Sequence, residues 1–278
     1  MGFMSKYGKL LDKYWQLNIA EKLIFVNIIL FVLPLVVFVV FYLFKIPKIN
    51  LYYYFELLPN IGELLFRPWS LITYGFIHAS IGHLFWNMIL FYYFSTLFLN
   101  LFKGDYLLAL FCLGITAGGF LFVLSYSFFP VFGGVNSSLI GSSAGVISVV
   151  IFMCTYSPNL TLRILFFNVK LIYVGIILVI FDLAQLPISN SGGHIAHLGG
   201  ALFGFFAGAK MKKGENIFKY LKTTLPKKNK NQRRVSINEN YRNDNQKKVD
   251  RILDKINESG FDSLTSEEKK ALNEASND

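Results

Sequence analysis

The first 209 residues of this chain are poor in acid. They hold six carboxylates, Asp12, Glu21, Glu56, Glu63, Asp105 and Asp182, beside ten lysines and arginines. Proton-coupled transport usually relies on an intramembrane carboxylate. Only Asp182 falls near the outer end of a central apolar run, where it reads as an interfacial residue. The string HExxH is absent, which excludes the helical zinc protease built on it. Cysteine is limited to Cys112 and Cys154, both inside apolar runs, so no disulfide is expected and nothing follows about redox compartment. Charged residues make up only 16% of a chain that is 54% hydrophobic. That balance excludes an ordinary soluble domain and indicates an integral membrane protein.

What is present is a series of apolar runs. A hydrocarbon core of about 30 Å needs about 20 helical residues. The runs Leu23–Phe44, His83–Phe102, Tyr106–Phe129, Leu139–Tyr156 and Leu165–Ala184 read as five spans, and His197–Ala209 as a sixth too short to cross alone. No cleavable signal peptide is expected, because no small-residue cleavage site follows the first run. The connection at 45–82 is long and rich in aromatics, which suit a membrane interface. Lysine and arginine concentrate at the N-terminus, around 103, at 163 and 170, and after 210. Only Lys45, Lys48 and Arg67 break the alternation, so the pattern predicts both termini on the cytoplasmic side. The tail from 210 onward is net basic, which predicts an anionic-lipid-facing segment and not a nucleic-acid binder. Residues 1–22 read as a cytoplasmic segment, 23–210 as a membrane domain, 211–246 as a basic linker and 247–278 as a helical hairpin. Within that hairpin Val249, Ile252, Leu253 and Ile256 share a helical face, Gly260 ends the first helix, and Thr265-Ser-Glu-Glu268 forms a capping box.

The four histidines, His78, His83, His194 and His197, all lie at or near the edges of apolar runs. Imidazole is costly in hydrocarbon, so such residues are functional candidates, with wetting by lipid headgroups as the plain alternative. Counting back from the cytoplasmic side fixes their depth. His197 lies about 20 Å from Lys210, Ser143 about 21 Å from Ser157, and Asn87 about 24 Å from Lys103. The three therefore share one level below the outer surface, which implies a water-filled pocket. Gly200, Gly204 and Gly208 repeat every four residues, a face that admits a close neighbouring backbone. Helix packing alone accounts for the glycines but not for His197 above them. A serine hydroxyl becomes a nucleophile when a histidine takes its proton, so Ser143 and His197 form a candidate dyad. His83 and Asn87, four apart on one helix face, are candidate oxyanion donors together with the Ser143 amide. A four-histidine metal or haem site is the competing reading, and the spacings of five and three do not match helical metal ligands.

Three pieces of sequence, His78-x4-His83-x3-Asn87, Gly141-x-Ser143 and His197-Leu-Gly-Gly-x3-Gly204, together resemble the rhomboid family of intramembrane serine proteases over residues 20–210. The resemblance implies Ser143 as nucleophile, His197 as general base, His83 and Asn87 as oxyanion donors, and His78 and Gly141 as site-supporting residues. Trp69 and Thr73 resemble first-loop positions of the family. Glycines three and seven residues after the catalytic histidine select His197, which leaves His194 as a solvated loop residue. Two positions depart from the pattern: Ile147 stands where an aromatic often follows the serine, and Ser70 where an arginine often follows the tryptophan.

The resemblance predicts an all-α, polytopic membrane protein, a six-transmembrane-helix bundle with a small cytoplasmic helical tail. It predicts a serine endopeptidase of the cell membrane that cleaves single-span transmembrane proteins near the outer face. No cofactor, metal or nucleic acid is implied, and no partner is predicted for the tail. The alternative is a non-catalytic relative that binds transmembrane clients.

Overall fold

The computed structural model describes residues 14–47, 49–164 and 167–219, with 252, 255 and 264–269 near the C-terminus, the side chains of 164 and 167 excepted. The chain divides into two compact units, Met1–Lys222 and Thr223–Asp278. Among its described residues the first is mainly helical, with one hairpin. Helix α1, Ile19–Leu43, opens on a capping box: Asn18 Oδ1 accepts from the Glu21 amide at 3.0 Å, and the Glu21 carboxylate accepts from the Asn18 amide at 2.8 Å. Two amides that the helix start leaves open are thereby satisfied. Leu33, Val36 and Val39 are among many apolar side chains that α1 turns outward. A helix apolar all round and poorly covered by protein suits lipid better than water.

The aromatic connection after α1 is folded. It carries the short helices α2, Ile61–Phe66, and α3, Ser70–Thr73, the latter running into a 3-10 turn at Tyr74–Phe76. Trp69 Nε1 donates to the Tyr54 carbonyl at 2.8 Å and Thr73 Oγ1 to that of Phe55 at 2.9 Å. Arg67 is buried, bonds the Tyr53 carbonyl and Glu63, and lies over the Tyr53 ring. With Ser70 after the tryptophan, the arginine that ties this loop together comes two residues before it.

The main helices follow: α4, Ile81–Leu99, capped by Ser80; α5, Gly104–Phe128; α6, Ser143–Tyr156; α7, Leu171–Gln185; and α8, Ser191–Lys212. Among them α6 is central, with every residue from Ala144 to Cys154 buried. Its neighbour α8 comes so close that side chains are excluded. A Cβ at Gly200 would lie 2.1 Å from the Ala144 carbonyl oxygen, at Gly204 2.3 Å from that of Ser148, and at Gly208 2.8 Å from that of Phe152. Glycine and partner advance together in steps of four, so α6 and α8 run parallel and in register.

Several boundaries differ from those read in the sequence, and three of the differences have a local setting. Leu139 does not start α6 but pairs with Leu57 as an antiparallel bridge. Residues Thr161–Ile164 (β1) and Phe167–Lys170 (β2) form an antiparallel hairpin, with Thr161 opposite Lys170, so α7 starts at Leu171 and the fold is not purely helical. Helix α8 begins at Ser191 and has 22 residues, where a segment too short to span was expected. Gly192 in its first turn faces Phe122, whose ring a Cβ there would meet at 2.8 Å, so the close approach favours glycine. Two helices, α1 and α5, are long and apolar enough to cross a membrane, and α6 and α7 are shorter apolar helices.

In the second unit the described residues carry the capping box expected at Thr265. Its hydroxyl accepts from the Glu268 amide at 3.3 Å, while the Glu268 carboxylate accepts from the Thr265 amide at 2.8 Å. Lys255 pairs with Glu268, and Ile252 and Leu264 are buried. Val249, Leu253, Ile256, Gly260 and the basic run 227–234 lie outside the described residues.

The close approach makes a test. Gly200→Ala should destabilise the detergent-solubilised protein by about 1–3 kcal/mol through overpacking. Gly82→Ala, whose Cβ would meet nothing within 4 Å in the first turn of α4, should be neutral or gain up to about 1 kcal/mol from helix propensity. Equal melting temperatures for the two variants would contradict the contact.

Candidate active site

The N-terminal end of α6 is built by the loop that precedes it. Gly141 has φ +126°, a backbone conformation that favours glycine. A Cβ there would also lie 2.6 and 2.8 Å from the Cε1 and Nε2 atoms of His83. The Gly141 amide donates to the Tyr74 carbonyl at 2.9 Å, and the buried Tyr74 hydroxyl donates to the Ile115 carbonyl on α5 at 2.7 Å. The turn into α6 is thus pinned to the first loop and, through it, to α5.

Ser143 is the first residue of α6 and partly exposed. Its Oγ lies 3.7 Å from the position of a Gly141 Cβ, so Ser143 and His83 flank the same glycine. Thr96, Thr116, Ser127 and Thr155 all return their hydroxyls to the carbonyl four residues back. At a helix start there is no such carbonyl, and the Ser143 hydroxyl makes no hydrogen bond among the described residues. Ser142 is different: it is buried, and its Oγ lies 3.0 Å from Nε2 of the buried His78. Burial, with the neighbouring His83 adding to it, pushes the His78 imidazole down to about 4, so the ring is neutral. The His78 and His83 rings meet edge to face at 5.2 Å. One turn along α4 from His83, Asn87 is buried and its Nδ2 finds no partner among the described residues. An unpaired buried donor costs about 1–3 kcal/mol, the price of keeping a donor available.

The second half of the site corrects two expectations. His194 is not a solvated loop residue; it lies in the first turn of α8 and is buried. Asp182, on α7, is not interfacial but only 4% exposed. The Nδ1 atoms of both His194 and His197 reach the same oxygen, Asp182 Oδ1, at 2.7 and 2.8 Å. The histidines can share the carboxylate because residues three apart lie on one helix face. Asp182, His194 and His197 also form a set whose ligand atoms lie within 4.8 Å of one another, the three residues that could hold a cation. Their observed separations are those of N–H···O bonds: the groups are joined directly and not spread around an open centre.

The two halves meet at Gly118 of α5. A Cβ there would be 2.6 Å from both Ala144 Cβ and the Ala196 carbonyl oxygen, so the chain neighbours of Ser143 and His197 face one point. The structure thus brings Ser143 and His197 to the same end of two adjacent helices and leaves the hydroxyl–imidazole hydrogen bond unmade among the described residues. Ile147 does not replace a stacking aromatic: it packs with Ile151 and Ala201. The His197 ring has instead a polar partner in Asp182. Sequence reasoning missed this acid, although a lone carboxylate in an apolar run was itself the signal.

The Rhomboid domain model matches residues 66–214, more than half of the chain, which takes in every residue of this site. The chain belongs to the rhomboid family. Similar relatives are RHOMBOID-like protein 12, mitochondrial, of Arabidopsis thaliana, 29% identical over 164 residues (55% of this chain, 49% of that protein), and Presenilin-associated rhomboid-like protein, mitochondrial, of Rattus norvegicus, 30% identical over 173 residues (60% and 44%). The match spans about half the length of each relative. Residues 236–278 match a further family of unknown function, DUF6576. The rhomboid match begins within the folded first loop, just ahead of α3, so the Trp69, Tyr74 and Gly141 scaffold belongs to the shared domain while α1 lies outside it.

His78 supplies a prediction with a definite sign. An unfolded histidine binds its proton near 6.5, while buried His78 resists until about 4. The stability contributed by neutral His78 is therefore present above 6.5 and lost as pH falls from 6.5 toward 4. Thermal unfolding in detergent should show this acid loss, and His78→Asn should be less sensitive than the wild type over the same range. Identical acid sensitivity in the two proteins would contradict a neutral, buried His78.

Proposed function

We propose that this rhomboid-family chain is an intramembrane serine endopeptidase. The observation that carries the reading is a serine hydroxyl at a helix start with no partner among the described residues, at the same end of the bundle as an imidazole whose Nδ1 is engaged and whose Nε2 has no partner among them. Ser143 Oγ attacks the scissile carbonyl carbon. As the Oγ–C bond forms, the Ser143 proton passes to His197 Nε2 and the carbonyl electron pair moves onto oxygen. Asn87 Nδ2, His83 and the Ser143 amide, which a helix start leaves open, donate to that oxygen. His197 then returns the proton to the leaving nitrogen as the C–N bond breaks. Water, deprotonated by the same histidine, releases the acyl group and restores Ser143.

The substrate class that fits is a single-span transmembrane protein cut near the end of its helix. The lysine and arginine distribution supports six spans with both termini cytoplasmic, and the protease reading adds a site open to the outer face. In this reading the short α6 holds Ser143 below that face, and the partial exposure of Ser143, His83 and His197 supports access for water. A non-catalytic client-binding relative is the second reading, favoured by the missing Ser143–His197 hydrogen bond. Catalytic hydrogen bonds are often long until substrate binds, so the protease reading is preferred.

Ser143→Ala should fold, still co-purify with a transmembrane substrate, lose cleavage of the reconstituted substrate and lose labelling by a fluorophosphonate probe. A folded Ser143→Ala protein that cuts at the wild-type rate would refute the protease. Asn87→Ala should be milder, lowering kcat by about 10²–10³, the value of one oxyanion donor in a soluble precedent. An unchanged rate would remove Asn87 from the oxyanion site.

A further inference from the structure

Asp182 stands apart from everything the rhomboid reading used. It is the only carboxylate among the described residues that meets a histidine, it is almost fully buried, and its Oδ1 meets two imidazole nitrogens at once. No lysine or arginine pairs with it among the described residues. We propose that Asp182 is a positioning residue for His197, so that the site works as a Ser143–His197–Asp182 relay with His194 as the clamp on the carboxylate. The proposal rests on the protease reading for the role of His197, but the arrangement of the three groups stands without it.

The hydrogen count restricts the tautomers. One carboxyl oxygen can donate to at most one of two nitrogens, so at least one Nδ1 carries a hydrogen. A carboxylate that accepts from both nitrogens accounts for both contacts, 2.7 and 2.8 Å long. Both rings are then Nδ1–H tautomers. His197 Nε2 is left with its lone pair, the form a general base needs. When Nε2 takes the serine proton, the imidazolium lies against a buried anion in a region of low dielectric, where that contact is strong.

His194 explains how the carboxylate is held. A buried anion with one donor would be poorly satisfied, and the second Nδ1–H completes it. It also fixes the side-chain rotamer of Asp182 on α7 against α8, and Phe181 packs edge-on at 6.2 Å to keep the His194 ring in place. The only ring partner of His197 among the described residues is His194, at 5.6 Å and nearly perpendicular, so no stacked aromatic orients the base. The hydrogen bond to Asp182 does. The remaining imidazoles of the site, His83 on α4 and His78 in the loop before it, are not bonded to Asp182.

The experiment uses full-length protein in proteoliposomes with a single-span substrate, and 15N-histidine NMR of the same protein in detergent. Asp182→Asn keeps the volume and removes the charge. It should lower kcat by at least about 10²-fold, toward the roughly 10⁴ of a soluble serine protease that lost its aspartate, with KM changed by less than about threefold. Asp182→Glu should regain part of kcat, and His194→Ala should fall between wild type and Asp182→Asn. A structural role alone would move folding and KM without this split. In the NMR spectrum wild-type His197, assigned by the His197→Gln spectrum, should carry its hydrogen on Nδ1, and Asp182→Asn should change that signal. An Asp182→Asn protein with kcat within about threefold of wild type, or wild-type His197 protonated on Nε2 alone, would overturn the proposal. If Asp182→Asn does not fold, the wild-type tautomer and the His194→Ala rate decide in the same way. If the wild type neither cleaves nor takes up the probe while His197 is Nδ1–H, the protease reading fails and the positioning by Asp182 stands.

Discussion

The arrangement at the N-terminal end of α6 depends on one contact, the backbone of α8 against the backbone of α6. Gly200, Gly204 and Gly208 place Cα atoms where side chains would strike the carbonyls of Ala144, Ser148 and Phe152. The contact gives close van der Waals packing and weak Cα–H···O interactions. Its larger consequence is registration. Because the helices touch at three successive steps, sliding one by a turn would drive a side chain into a carbonyl. Gly114 and Gly118 of α5 do the same against Ser148 and Ala144, and here the partner falls by four as the glycine rises by four, the sign of an antiparallel pair. With α6 held from both sides, the height of His197 relative to Ser143 is fixed by backbone geometry and not by the two side chains.

The first loop adds the second constraint. Ser143 needs a helix start at a defined place, and the strained turn at Gly141 supplies it only if something holds that turn. Leu57 pairs with Leu139, the Tyr74 carbonyl takes the Gly141 amide, and the Tyr74 hydroxyl ties the loop to α5. Arg67, Trp69 and Thr73 lock the loop upon itself. Each of these bonds is worth about 1 kcal/mol net. Their common effect is to make a connection of nearly forty residues behave as a rigid part of the site, which loops of this length do only when they bury their own polar groups.

How much of this was legible in the sequence follows from where the information lies. The glycine repeat, the short α6 and the apolar runs are local patterns, and they led to the helices and to Ser143 and His197 at the same end of α6 and α8. Helix ends were harder, because they turn on tertiary partners: the first turn of α8 packs Gly192 against Phe122, and Leu139 is extended where Leu57 pairs with it. The hairpin at 161–170 escaped because its second strand, Phe167–Lys170, runs straight on into an apolar helix and looks like its first turn. His194 was misjudged for the same kind of reason. Its burial depends on Asp182, twelve residues away on another helix, and no periodicity within α8 announces that partner.

The same distance explains why a carboxylate is tolerated there at all. An isolated anion taken out of water loses several kcal/mol of solvation even after relaxation. Asp182 recovers part of that through two imidazole donors, both supplied by α8 at a separation of three residues, so the acid and its partners are ordered by a single helix face. Neither donor carries a permanent charge, so the carboxylate is solvated without being neutralised. It remains able to respond when one of the rings gains a proton. A lysine or arginine in place of His194 would satisfy the anion more strongly and leave it less able to stabilise a new charge on His197. In the proposed mechanism two neutral donors on one buried acid meet both demands: the acid is satisfied in a low dielectric, and its charge is kept for the moment when His197 takes the serine proton.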